Sequence, residues 1–575
     1  MTIFEVWAPG KTVRLRLGDR DYAMEPGEDG WCRVDVRSPS DADYGFLLPG
    51  QEQPLPDPRS ARQPDGVHGL SRLYDHSAFA WSDQSWTGRQ LPGSVLYELH
   101  IGTFTPEGTF DAAIERLDHL VDLGVDLVEL LPVNAFNGTH NWGYDGVCWF
   151  APHEAYGGPD GLKRFVDAAH AKGLGVVLDV VYNHFGPSGA YAPMFAPYLS
   201  SGSNAWGSSV NLDGPGSEQV RRYIVDSVLM WLRDYHIDGL RLDAVHALHD
   251  EGAVHLLEQM AVEVETLSTE LRRPLSLIAE SDLNDAKLIT PREGGGYGLH
   301  AQWDDDVHHA LHTLLTGERQ GYYGDFGSLD CLRTVLEGAF FHAGTWSSFR
   351  GRPHGRPVDR QRTPGHRFVA FLQNHDQIGN RAVGDRLTAS LSPGLLKVAA
   401  TLLLTSPFTP MLFMGEEWAA SSPWQYFTSH PEPDLASAVR TGRRREFASH
   451  GWAEADVPDP QDPATFERSK LDWSELGKPG HAEILELYRK LIALRRSIPG
   501  LTDPWLHQVE VWHGDQHVVI RRGPNVVAAN LSASPQTVSV RSLPRSVLLA
   551  TAPGVIVERD RLVLPPESAA VVSVR

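Results

Sequence analysis

Acidic residues recur where apolar runs end. Val176-Val177-Leu178-Asp179-Val180-Val181 leads into Asn183 and His184, and Asp238-Gly239-Leu240-Arg241-Leu242 leads into Asp243, with His246 just beyond. Leu275-Ser276-Leu277-Ile278-Ala279 delivers Glu280, and Phe368-Val369-Ala370-Phe371-Leu372-Gln373 delivers Asn374, His375 and Asp376. Taken alone, Arg241-x-Asp243 reads as a structural ion pair, and an acid or histidine at a strand end reads as a cap. Several acids converging on one rim are different. Asp243, Glu280 and Asp376 facing one another would repel, which lifts at least one carboxyl out of the usual range. One carboxyl kept protonated beside another that is ionised is the arrangement that glycoside hydrolysis uses. The same acids could instead hold Mg²⁺ or Ca²⁺. Arg241, His184 and His375 weigh against a metal, because positive groups compete with a cation, and they suit a crowded site that binds hydroxyls.

The elements that must carry these residues can be read from periodicity. From Ser94 onward, strand-like runs alternate with helix-like runs, the signature of a parallel sheet. Eight strands are predicted, over 94–101, 125–131, 175–181, 239–243, 275–280, 298–303, 368–373 and 410–414. Amphipathic helices fall between most of them, at 110–123, 158–171, 218–234 and 395–404, with Thr109 and Ser217 as helix-start residues. Eight such units over residues 94–498 suggest a (β/α)₈ barrel, whose catalytic groups sit where the strands end. A doubly wound open sheet is the alternative, but no glycine-rich phosphate loop follows the first strand. Residues 183–216, rich in Gly, Ser, Pro and aromatics, exceed an ordinary loop and are read as an elaboration over the barrel mouth. Trp206 within it could stack on a sugar ring or pack the loop onto the barrel. Residues 1–85 show short alternating runs separated by turns, as in a small β-sandwich, and residues 83–93 read as a linker. Residues 499–575 return to short β runs and suggest a C-terminal antiparallel β domain.

Composition narrows the setting. The formal net charge of −22 argues against nucleic acid and anionic membranes as partners. Cys32, Cys148 and Cys331 form neither a metal-type spacing nor a disulfide framework, as expected in a reducing compartment. The start, Met1-Thr2-Ile3-Phe4-Glu5-Val6-Trp7, lacks the pattern of a signal peptide, and no apolar run approaches the roughly 20 residues that span a bilayer. A cytoplasmic protein is expected.

The four strand-end stretches, in their order and strand assignment, resemble the four signature regions of the α-amylase superfamily. That resemblance makes Asp243 the nucleophile, Glu280 the general acid/base, and Asp376 the residue that holds ring hydroxyls and stabilises an oxocarbenium-like transition state. It makes Arg241 the charge partner of Asp243, and His184 and His375 hydrogen-bonding partners of the glucose at the cleaved bond. Retention of anomeric configuration is implied. Further stretches resemble the maltooligosyltrehalose trehalohydrolases within that superfamily. They are Tyr97-Glu98-Leu99-His100-Ile101-Gly102-Thr103-Phe104-Thr105-Pro106-Glu107-Gly108-Thr109-Phe110, Asn141-Trp142-Gly143-Tyr144-Asp145-Gly146-Val147, Gln302-Trp303-Asp304-Asp305-Asp306-Val307-His308-His309-Ala310-Leu311-His312, Phe413-Met414-Gly415-Glu416-Glu417-Trp418 and Pro423-Trp424-Gln425-Tyr426-Phe427-Thr428-Ser429-His430. Phe4-Glu5-Val6-Trp7-Ala8-Pro9 resembles the N-terminal β module shared with branching and debranching enzymes.

The implied activity is cleavage of the α-1,4 bond beside the terminal trehalose of maltooligosyltrehalose. The implied substrate contacts are Tyr144, Asp145 and His184; Arg241, Leu242, Ala244, Val245 and His246; Asp305, Asp306, Val307, His308 and His309; and His375, Gln377, Ile378, Gly379 and Asn380. Read without the resemblance, Asp304–Asp306 is also a capped, solvated turn before a helix. No cofactor and no metal are expected, although some amylases bind Ca²⁺ near the position of Asn183. A maltooligosyltrehalose synthase is implied as the pathway partner. Branching enzymes and isoamylases share the three acids and are the nearest alternatives. A glucan-binding protein that has kept the fold without the activity is the reading from another class.

Overall fold

The computed structural model describes residues 1–448, 453 and 456–575. Eight parallel strands close into a barrel: Leu96–Leu99, Leu127–Leu130, Gly175–Val180, Gly239–Leu242, Ser276–Ala279, Ala301–Trp303, Phe368–Phe371 and Thr409–Phe413. They pair in chain order, with the eighth against the first, so the sheet has no open edge. An open doubly wound sheet is excluded. The strands are shorter than their apolar runs, because the ladder stops where the chain turns out into loops.

The barrel interior has two layers, set by the two-residue period of a strand. Toward the strand starts, Leu96, Leu127 and Val177 join Ile278, Phe371 and Met411 in an apolar cluster of their own. Two residues further along the same strands stand Glu98, Glu129, Asp179 and, on the fourth strand, Arg241. The register sets Glu98 beside Glu129 and Asp179 beside Arg241. All four are buried. The opposite faces of the strands, with residues such as Val128, Leu178 and Leu240, belong to the large core under the surrounding helices.

Two local expectations are corrected. Ser217 is not a cap but the first residue of the helix Ser217–Asp234, and Gly216 precedes it at φ 80°. That left-handed turn is one that glycine enters without strain. The expected helix over 110–123 is divided into Phe110–Ile114 and Leu117–Leu123. Between them Arg116 N–H reaches Ala113 O and His119 N–H reaches Arg116 O, i→i+3 bonds that break the α-helical register. Thr109 does accept from Ala112 N–H as a start signal should.

The flanking segments hold the barrel at several points. The first strand of the chain, Thr2–Trp7, pairs antiparallel with Trp31–Val36, and a second sheet is built on Arg14–Leu17 and Asp43–Leu47. Residues 83–93 do not hang free: Trp86 Nε1 donates to Asp238 at the entrance of the fourth strand. Residues 183–216 carry a short helix, Ala192–Phe195, and a hairpin, Leu199–Asn204 with Gly207–Val210. Phe195 packs edge-on against Phe46 of the N-terminal sheet, which anchors the elaboration, and the hairpin tip brings Trp206 to the barrel mouth. Between the sixth and seventh strands lie two helices, Asp305–Thr316 and Leu329–Gly338, and a hairpin, Thr345–Ser347 with Arg352–His354. At the C-terminus, a five-stranded antiparallel sheet (Val509–His513, His517–Arg522, Asn525–Asn530, Ser568–Val574, Pro544–Ala550) and a three-stranded sheet share a separate apolar core.

Candidate active site

A cavity of about 750 Å³ opens at the C-terminal end of the barrel, and Asp243, Glu280 and Asp376 all line it. Asp243 follows the fourth strand, Glu280 the fifth, and Asp376 lies in the helical turn His375–Gly379 after the seventh. Arg241 lies under this floor, fully buried. Its Nη1 donates to both oxygens of Asp179, at 3.0 and 2.8 Å, and to Asp243 Oδ1 at 2.8 Å. Its Nη2 stands 3.6 Å from Glu280 Oε2, and its plane lies over the Trp303 ring at 4.3 Å. Asp243 also accepts from Asn183 Nδ2 at 2.7 Å.

The chain turns sharply after Asp243. Ala244 sits at φ 41°, an uncommon conformation for a residue with a Cβ. The turn aims its N–H at Glu280 Oε2, 2.6 Å away, which fixes the position of that carboxyl. Burial raises the Glu280 pKa, and the nearby charges of Asp243 and Asp376 add to the rise against the pull of Arg241. A carboxyl held toward its protonated form is suited to give a proton. Asp305 is a further acid in the cavity, pushed up to about 8 by burial and by Glu280 and Asp376.

His375 stands behind the cavity wall. Its Nδ1 is 2.5 Å from Glu98 Oε1, and its backbone N–H donates to Glu98 Oε2 at 3.0 Å. Its Nε2 is 2.8 Å from the Tyr144 hydroxyl and 3.4 Å from Asp376 Oδ2. Tyr144 in turn donates to Asp179 Oδ2 at 2.5 Å. His184 Nε2 bonds the carbonyl of Tyr144 at 3.0 Å, and its ring stacks under Trp206.

The expected contact residues divide. Tyr144, Asp145, His184, Ala244, His246, Asp305, His309, Gln377 and Asn380 line the cavity. Arg241 and His375 do not line it and act from beneath or behind. Leu242, Val245, Val307 and Ile378 are buried in the core under the helices, since alternate strand positions and the inner helix face point away from the mouth. Gly379 is also buried; a Cβ there would stand 2.0 Å from the Trp142 ring, so its smallness lets Trp142 form the wall. Asp306 Oδ2 is committed to Asn284 Nδ2 and to the backbone N–H groups of Phe341 and His342. His308 bonds the Leu372 carbonyl and the Tyr323 hydroxyl, not the cavity. Successive helical residues point about 100° apart, so of His308 and His309 only one can face the mouth.

Other wall residues were not assigned from sequence. Trp142 and Tyr426 lie within stretches that carried the resemblance, and an aromatic inside such a stretch was the available signal. Tyr322, Phe349 and Arg350 come from the segment between the sixth and seventh strands, and Arg443 and Glu446 from the helix Pro433–Ala448. Their segments carry no motif. Arg350 bonds Asp282, two residues beyond Glu280, so it stands on the Glu280 side. Arg443 lies over the Tyr426 ring and donates to the carbonyl of Gly379, on the Asp376 side.

Comparison with known proteins agrees with this architecture. Residues 72–197 match the model of the α-amylase catalytic domain, and residues 504–571 match a domain of unknown function (DUF3459). The malto-oligosyltrehalose trehalohydrolase of Rhizobium sp. (strain M-11) is 57% identical, over 99% of this chain and 97% of its own. That of Saccharolobus solfataricus is 42% identical, over 86% of this chain and 85% of its own. A crystal structure described as a putative α-amylase from Salmonella typhimurium superposes with a TM-score of 0.91 at 39% identity, covering 100% of this chain and 97% of the other. A pullulanase from Anoxybacillus sp. LM18-11, at 17% identity and a TM-score of 0.73, shares the fold. The chain belongs to the malto-oligosyltrehalose trehalohydrolase family of α-amylase-type glycosidases.

Proposed function

We propose that this protein hydrolyses the α-1,4-glucosidic bond beside the terminal trehalose of a maltooligosyltrehalose, releasing trehalose and a shortened maltooligosaccharide. The observation that carries the chemistry is one cavity lined by Asp243, Glu280 and Asp376 with the buried Arg241 beneath them. In the first step Asp243 attacks the anomeric carbon while Glu280 gives its proton to the glycosidic oxygen, so that trehalose leaves. The glycosyl ester on Asp243 is then opened by water. Glu280, now ionised, takes the water proton, and two inversions give net retention. Asp376 holds hydroxyls of the reacting glucose as charge develops on its ring.

The side from which the proton comes orients the substrate. The leaving trehalose belongs on the Glu280 side, toward Asp282, Arg350, Phe349 and Tyr322. The maltooligosyl chain belongs on the side of Trp142, Tyr426 and Arg443. A maltooligosyltrehalose synthase is the enzyme that would supply this substrate, in a pathway of trehalose formation. A cytoplasmic place fits three cysteines that are all buried and unpaired. Among the described residues no helix is long and apolar enough to cross a membrane.

The product assay that tests this uses maltotriosyltrehalose, amylose and glycogen side by side. Free trehalose and new reducing ends from the first, with little action on the others, is the expected result. New branch points on amylose would mean that a sugar hydroxyl, not water, is the acceptor, and would replace this reading with a branching enzyme.

A further inference from the structure

Glu98 belongs to a stretch that carried the family resemblance but has no role in the steps above. It stands on the first barrel strand, 1% exposed, and does not line the cavity. Both its oxygens face His375, one on the ring Nδ1 and one on the backbone N–H. The other ring nitrogen faces acceptors too. The Tyr144 oxygen is 2.8 Å from Nε2, and the Tyr144 proton is directed to Asp179, whose two oxygens already accept from Arg241. Asp376 Oδ2 is the second acceptor near Nε2. An imidazole with acceptors at both nitrogens satisfies them only when it carries both protons.

We propose that Glu98 is a positioning residue for the hydrolysis, which keeps His375 doubly protonated and fixed in rotation, so that Nε2–H is a constant donor at Tyr144 and Asp376. This rests on Asp376 and Tyr144 contacting the reacting glucose. With the cation in place, the Tyr144 hydroxyl and the Asp376 carboxylate are held at the wall. Without it, Nε2 and Asp179 would compete for the Tyr144 proton, and Asp376 would lose a positive neighbour.

The surroundings of His375 support the assignment from each side. Glu98 faces it from the first strand, Glu129 from the second, Asp179 from the third and Arg241 from the fourth; Asp376 and Tyr144 face it at the mouth, and His100 from the turn after the first strand. Burial works against a charge here, but Asp376 and Glu98 outweigh it, with Arg241 opposing, and hold His375 at about 9. Burial lowers His100 to about 3, so it stays neutral at working pH. Glu129 has no hydrogen-bond partner on either oxygen among the described residues, and burial beside Glu98 and Asp179 keeps it protonated. Glu98 is therefore the interior acid whose contacts are spent on His375.

The test reads the histidine directly. In protein carrying ¹³Cε1-labelled histidine, the resonance missing from His375→Gln identifies His375. It should titrate well above the usual 6.5 in the wild type, and move acidward by about 1–3 pH units in Glu98→Gln, the range expected when an adjacent opposite charge is removed. Turnover of Glu98→Gln relative to wild type should fall progressively from pH 6 to pH 8, with kcat affected more than KM. Glu98→Asp, which keeps the charge, should keep the wild-type pH profile. Glu129→Gln, a neutral group exchanged for a neutral one, should leave the His375 titration in place. A wild-type His375 that titrates near 6.5 overturns the proposal without any variant, and so does a pH-independent loss in Glu98→Gln with the titration unmoved. Failure to release trehalose from any substrate, with the titration as expected, would count against the proposed function instead.

Discussion

The fourth barrel strand has an acid at each end, and the two ends are finished differently. At its entrance Asp238 accepts four hydrogen bonds: Trp86 Nε1 and Arg273 Nη1 on one oxygen, His170 and the Val176 N–H on the other. His170 reaches on to Asp83, and the rings of Trp86 and His170 stack at 4.4 Å. No lone pair is left for a ligand. At its exit Asp243 has Arg241 and Asn183, and the rest of its carboxylate faces the cavity. Arg241 keeps Nε and Nη2 without a hydrogen-bond partner among the described residues. Both ends desolvate charges, which costs stability unless the groups are paired. The lower end meets that demand with protein atoms. The upper end leaves it partly unmet, which is what a site built for an incoming transition state should show.

The sharpest way to break this contrast is to neutralise each acid in turn. Asp243→Asn removes the proposed nucleophile from a site already short of partners. Turnover should fall on the order of 10⁴-fold or more, with little change in urea unfolding. Asp238→Asn takes charge from a closed network and leaves His170 and Arg273 facing an amide. It should cost about 3–5 kcal/mol in stability, while the folded fraction keeps near-normal turnover. If Asp238→Asn abolished turnover without destabilising, or Asp243→Asn merely destabilised, the division into a structural end and a chemical end would be wrong.

Much of this contrast was legible in the sequence, and the reason is local. Asp243, Glu280 and Asp376 each follow an apolar run, so their placement at strand exits follows from periodicity alone. Closure of the barrel followed from counting strands. Asp238 was passed over because it sits one residue before a glycine at a strand start, where an acid looks like part of a turn. Its partner Trp86, and Asp83 on the far side of His170, come from a segment read as a linker, and only tertiary contact shows them packed under the barrel. The same limit hid Tyr322, Phe349, Arg350 and Arg443, whose spacing carries no period that points at the site. Asp306 and His308 came with Asp305 and His309 in the stretch that resembles the family, although on a helix neighbouring residues face different ways. The role of Glu98 was invisible for a further reason. Its partner His375 lies 277 residues away in sequence.

A smaller effect sharpens the upper end. As the proposed acid, Glu280 must be protonated when the leaving oxygen departs. Its pKa is raised in the folded protein, so the alkaline limb of the rate should lie at higher pH than an ordinary glutamate would give, and the rate should fall as pH rises through that value. Glu280→Gln removes both the proton donor and the later base, and should lower turnover by about 10²–10⁴-fold. The residual activity should lack an alkaline limb arising from this group. A variant that kept the full wild-type bell would remove Glu280 from the role of acid.

The smallest effect concerns the lower end and has a defined sign in pH. Burial opposes a charge on His170, but Asp238 and Asp83 on its two nitrogens outweigh it and raise its pKa above 6.5. Asp83 is held well below the usual carboxylate range: burial opposes its charge, but His170 and His236 outweigh that. A raised histidine stabilises the fold fully below its unfolded value, and the contribution is lost as pH rises through the folded value. A depressed aspartate stabilises above its unfolded value, and the contribution is lost as pH falls through the folded one. The clamp is therefore strongest between about pH 4 and pH 6.5. Above the folded His170 value the neutral ring has one N–H for two carboxylates, and one of them loses its donor. His170→Gln should cost about 1.5–3 kcal/mol near pH 6, the range for a hydrogen bond to a charged group, and less near pH 9. Urea unfolding at the two pH values measures this. A difference that grew toward pH 9 would mean that His170 is buried neutral, and that Asp238 and Asp83 are held by Arg273, Trp86 and His236 alone.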